Sequence, residues 1–106
     1  MLKKKERLTK KEFDRFFSSG ARKHGQLFTL IFSADANFHG AVVVGKKVHK
    51  RAVDRNRLRR RLYSVLYRLS RDQGLTGVYI ILTKPLAAGA EFAELKSSVE
   101  TIISKL

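Results

Sequence analysis

The chain has 106 residues, 23 Lys or Arg against 9 Asp or Glu, a net charge of +14, one proline and no cysteine. That length suits one domain, and a 43% hydrophobic content excludes a disordered chain. The missing cysteine excludes disulfide frameworks, thiolate metal sites and a Cys nucleophile, while the charge excess points to a polyanionic partner.

The opening, MLKKKERLTKKEF, is charged with no apolar run behind it, which does not match a signal peptide. Lys10 to Ser19 reads as a short helix. Thr9 and Glu12 have the capping-box spacing, Phe13, Phe16 and Phe17 share one side, and Gly20 ends it. Gln26 to Ser33 (QLFTLIFS) reads as a strand on which Phe28 and Phe32 share a face. ADANFHG reads as a turn, and Ala41 to Gly45 (AVVVG) as a second, buried strand.

The basic loop KKVHKR, in which Lys47 to His49 offers a further short strand, leads into a long helix. There Leu58, Leu62, Val65, Leu66 and Leu69 form one apolar stripe, with Arg57, Arg61, Arg68 and Arg71 largely away from it. RDQGLTG closes this helix. Val78 to Thr83 is a strong strand stopped by Lys84-Pro85. From Glu91 to Leu106 a last helix offers Phe92, Leu95, Val99, Ile102, Ile103 and Leu106 to the core. The order α-β-β-(β)-α-β-α, with helices packed on one sheet, makes the chain α+β, a single domain over residues 1–106. AVVV and VYIIL are too short to span a bilayer, so a cytoplasmic protein is expected.

Between Lys46 and Arg61, nine of sixteen residues are Lys or Arg. Solvated helices normally mix signs to gain i,i+4 pairs, but here arginines sit side by side on successive turns. The guanidinium fork suits bidentate phosphate contact, so this face reads as an RNA-binding surface. Asn56 is suited to capping the helix or to hydrogen-bonding a nucleotide. The aromatic side chains Phe13, Phe16, Phe17, Phe28 and Phe32 are open to two readings, core or stacking platform for bases. GAVVVGKK imitates a phosphate-binding loop, yet Lys47 stands where Ser or Thr is needed for magnesium, and Ala-Val-Val-Val favours a strand. His24, His39 and His49 lack ligand spacing. No paired carboxylates and no Ser-His-Asp arrangement are evident, so no catalytic residue is assigned.

AVDRNRLRRRL, with Arg55-Asn56-Arg57-Leu58 and Arg60, resembles the signature of the bacterial ribonuclease P protein subunit. RLTKKEFDRFFSSG is similar to that family's opening, and YIILTKP with the final amphipathic helix also fits. His49 departs from the usual apolar residue and Tyr63 from the usual basic one. The resemblance implies an α-β sandwich around a four-stranded sheet with three helices and a left-handed βαβ crossover. It implies a protein that binds a catalytic ribonuclease P RNA, one protein per RNA. That RNA removes the 5′ leader of precursor tRNA with Mg2+, the ions being bound mainly by the RNA and the substrate and none by the protein alone. Carried over by motif, the RNA-facing set is Lys46, Lys47, Arg51, Arg55, Asn56, Arg57, Arg59, Arg60 and Arg61. The leader-cleft set is Phe13 and Phe17 with Phe28 and Phe32. A generic basic RNA-binding protein, such as a small ribosomal protein, is the alternative of equal composition.

Overall fold

A computed structural model describes residues 4–106; the first residues of the charged opening lie outside the described ones. A short 3-10 turn at Lys4–Glu6 precedes α1 (Lys10–Ser19), β1 (Ala21–His24), β2 (Phe28–Ser33) and β3 (Phe38–Val43). Then come α2 (Ala52–Gln73), β4 (Gly77–Thr83), a second 3-10 turn (Pro85–Gly89) and α3 (Phe92–Ser104). The strands form one mixed sheet in the order β1-β2-β4-β3, with β3 and β4 parallel and the other pairs antiparallel. The fold is α+β, and three strands precede the long helix as expected. The extra strand, however, is β1 and not Lys47–His49, which is part of a turn. β3 begins at Phe38, inside the segment read as a turn, because Phe38 and Gly40 pair with Gly77 and Tyr79 of β4.

Alternation along the strands sends side chains to two unequal layers. On one face, Phe28, Leu30, Phe38, Val42, Tyr79 and Ile81 meet Leu58, Leu62, Val65, Leu66 and Leu69 of α2 and Leu95, Val99, Ile102 and Ile103 of α3. This is the main core. Phe92 and Leu106, expected inside it, are 43% and 45% exposed. They lie at the two extremities of the α3 segment, where the apolar stripe runs past the elements that could cover it. Tyr79 keeps its phenol in this layer by donating to the Thr76 carbonyl at 2.9 Å, and burial pushes its pKa up.

On the other face Ile31, Ala41, Val78 and Ile80 are buried under Leu8, Phe13, Phe16 and Phe17. No residue of α1 is itself fully buried. The helix is set locally by its predicted capping box. The Thr9 N–H donates to Glu12 Oε1 at 2.9 Å and the Glu12 N–H to Thr9 Oγ1 at 3.2 Å. The Thr9 backbone N–H, and then its hydroxyl, hold the Glu12 carboxyl below its ordinary pKa. At its far end Gly20 lets the backbone approach the sheet. A Cβ there would lie 2.5 Å from Ile31 Cγ2 and 2.8 Å from the Phe16 carbonyl oxygen.

Two contacts fasten the segment ahead of α1. Arg7 bridges Gly40 on the open edge of β3. Glu6, largely buried, accepts two hydrogen bonds from the Arg71 guanidinium, at 2.9 and 3.1 Å. That fork also stacks over Tyr67 at 4.5 Å. The Glu6 carboxylate raises the Arg71 pKa. Arg71 is therefore a clasp between the start of the chain and the end of α2, not a loose charge among mixed neighbours. Arg71→Ala should lower the melting temperature more than Arg68→Ala on the same helix; equal shifts in a thermal melt would reduce the clasp to an inconsequential surface pair. α2 ends at Gly74, whose left-handed φ of 61° lets its N–H reach the Ser70 carbonyl.

Candidate nucleic-acid interface

β3 delivers the chain to a turn, Gly45–Val48, and α2 begins seven residues after Gly45 at Ala52. Lys46 and Lys47 are exposed on this turn. Arg51 is the N-cap residue, with no side-chain cap bond, and its Nε lies 3.6 Å from Asp54. Asp54 is the one carboxylate among the nine cationic side chains of residues 46–61. The leucine stripe faces the sheet, so the helix cannot rotate to hide its arginines. Arg57, Arg60 and Arg61 are exposed. The positive end of the α2 dipole lies in the same place and adds to the field.

Three residues of the basic stretch have additional duties. Arg55 is half-buried, and its Nη1 donates to the carbonyls of His49 at 3.1 Å and Lys50 at 2.7 Å. It pins the basic loop to the helix. Asn56 is not the cap; it lies within the first turns of α2 and its side-chain oxygen accepts from Arg59. His49 is half-buried and, with Asp54, Arg57, Arg61 and the 3-10 turn after β4, borders a polar hollow of about 110 Å³.

The aromatic side chains divide by face. Phe13 and Phe17 lie on the α1 side, ring centroids 5.6 Å apart, both half-buried. Phe28 is 1% exposed in the main core, and Phe32 packs against Tyr79 at 5.2 Å. Both therefore point away from α1, and the structure removes them from any cleft that α1 forms with the sheet. Sequence reasoning missed Arg22. It pairs with Ile31 across β1 and β2, places its guanidinium 4.8 Å from the Phe17 ring centroid and donates to the Phe17 carbonyl at 3.1 Å. Tyr63 is tied to the sheet as well. Its hydroxyl accepts from the Val42 N–H at 3.2 Å, satisfying a donor on the edge strand.

Among the described residues no group of three or more His, Cys, Asp or Glu could hold a metal ion, and no helix is long and apolar enough to cross a membrane. The family model for ribonuclease P matches residues 2–106. The chain belongs to the ribonuclease P protein family. The ribonuclease P protein component of a Nitratiruptor species is 33% identical over 98 residues, covering 92% of this chain and 88% of the relative. Solved ribonuclease P proteins share the fold. The Thermotoga maritima protein superposes with a TM-score of 0.80 at 18% identity, over 95% of this chain and 97% of the other. A mutant Staphylococcus aureus protein reaches 0.85 at 20% identity, over 96% and 88%.

Proposed function

We propose that the chain is the non-catalytic protein of ribonuclease P, binding the catalytic RNA through residues 46–61 and the 5′ leader of precursor tRNA through the cleft between α1 and the sheet. The observation that carries this reading is the rigid arginine face of α2, with Arg57, Arg60 and Arg61 exposed while Leu58 and Leu62 are buried. Such a face neutralises crowded phosphates and positions RNA without reading its sequence. Lys46, Lys47, Arg51 and Arg59 extend it, and Arg55 and Asn56 shape it. Magnesium in this scheme is held by RNA and substrate, and the protein lowers the concentration needed by reducing phosphate repulsion. Adding the chain to a bacterial ribonuclease P RNA at low magnesium should restore 5′ maturation of precursor tRNA; no gain over RNA alone would defeat the reading, as would cleavage by the purified chain without RNA.

The leader cleft rests on Phe13, Phe17 and Arg22. A base stacked on an aromatic side chain contributes about 1–3 kcal/mol. Phe17→Leu keeps an apolar side chain and removes the π-face. The preference for precursor over mature tRNA should shrink by about 1 kcal/mol or more in paired binding titrations. A lower melting temperature with the preference intact would assign Phe17 to packing alone.

A further inference from the structure

A groove of about 390 Å³ opens between the β1–β2 turn and α3. Lys23, His24 and Lys105 line it together with Ser97, Ser98 and Thr101, and no Asp or Glu does. Positions 97, 98, 101 and 105 fall on one side of α3 by helical spacing. The neighbouring groove between α2 and α3, about 360 Å³, is different: there Arg68 and Lys96 are matched by Asp72 and Glu100. α3 thus keeps balanced charge toward α2, whereas toward the β1–β2 turn it presents three hydroxyls and Ile102, with Lys105 just past its end and no acid. Among the described residues the hydroxyls of Ser97, Ser98 and Thr101 make no hydrogen bond. The turn itself is held in place, because Lys84 Nζ donates to the Gly25 carbonyl at 2.7 Å and the Lys84 N–H to the Leu27 carbonyl at 2.8 Å.

Topology puts this groove at the same end of the sheet as the α2 patch. Phe28, at the start of β2, pairs with Thr83 at the end of β4, and Leu82 of β4 pairs with Val43 at the end of β3. The β1–β2 turn and the Lys46–Lys47 turn therefore flank one edge-to-edge row of strand ends. With neighbouring strands about 4.8 Å apart, β1 and β3 are separated by about 14 Å.

We infer that the groove is a second phosphate-binding site, taking the sugar-phosphate backbone of the RNA that docks on α2. This rests on the reading of α2 as the RNA surface. A phosphodiester offers only acceptors and a negative charge, and two ammonium groups with three hydroxyls supply the matching donors.

The test is a salt series of equilibrium binding to a bacterial ribonuclease P RNA, with the chain and four variants. Two lost phosphate contacts reduce the log–log slope by roughly 1.4–1.8. Lys23→Gln/Lys105→Gln should show that reduction, and Lys23→Arg/Lys105→Arg, which keeps the charge, should restore the slope. Lys96→Gln, in the balanced groove, should leave it unchanged. A Lys23→Gln/Lys105→Gln slope equal to that of the unaltered chain, or to that of Lys96→Gln, overturns the inference. Arg60→Gln/Arg61→Gln separates the two claims: if it lowers the slope while the lysine pair does not, the groove fails and the α2 reading stands. If neither lowers it, both fail.

Discussion

Raising the salt concentration from 50 to 200 mM should weaken RNA binding between about 100-fold and 500-fold through the contacts of α2 and the turn before it alone. The figure follows from Lys46, Lys47, Arg57, Arg60 and Arg61, which are exposed and have no ion-pair partner among the described residues. Each phosphate neutralised contributes a log–log slope of roughly −0.7 on single strands and −0.9 on duplex. Five contacts make a slope of roughly −3.5 to −4.5, and a fourfold rise in salt does the rest. Fluorescence or filter titrations at several salt concentrations measure it directly. A nearly flat series would mean that the dense charge on α2 does not meet phosphate at all.

The second large effect separates the two jobs of α2. Leu62 is 0% exposed at the centre of the leucine stripe. Leu62→Ala should cost about 2–5 kcal/mol, because the side chain's burial is lost and the tightly packed layer closes the gap only in part. For a domain near this size that corresponds to a fall in melting temperature of roughly 8 °C or more. RNA affinity, measured well below the new melting point, should stay within about twofold, since no cation has moved and only folded protein binds. Affinity lost in proportion to stability would instead indicate that the arginine face needs the full rigidity of the core beneath it.

These two measurements bear on why one helix is both so basic and so apolar. The leucines fix the rotation of α2, and the fixed rotation turns diffuse charge into a surface of defined shape. That much was legible from spacing alone, as was α1, whose capping box and Gly20 mark its two bounds. β1 was not legible. Its residues, Ala21, Arg22, Lys23 and His24, are all exposed, so there is no alternation for hydropathy to report; only pairing with β2 makes it a strand. The start of β3 was hidden in the same way, behind Asn37 and Gly40, residues that locally favour turns. Phe28 and Phe32 were correctly placed on one face of one strand, but period-2 spacing does not say which layer that face meets. The strand order decides it, and it sends them to the α2 and α3 side. Arg22 and the Glu6–Arg71 clasp join residues whose partnership depends on the folded chain, the latter across 65 positions.

α1 runs from one border of the sheet to the other. Arg7, just ahead of it, is joined to β3, and Gly20, just behind it, leads straight into β1. Its ten residues make about 15 Å of helix, close to the roughly 14 Å between those two edge strands. Mechanically it is a beam pinned at both supports, not a cantilever. A cantilever swings, and the gap beneath it opens and shuts; a doubly pinned beam can only bow at mid-span, with much smaller amplitude. Phe13 and Phe17 ride on that beam, so their packing over the sheet is set by its two supports. Under the proposed leader-binding role, an incoming single strand gives up its own conformational freedom but need not also still a moving wall.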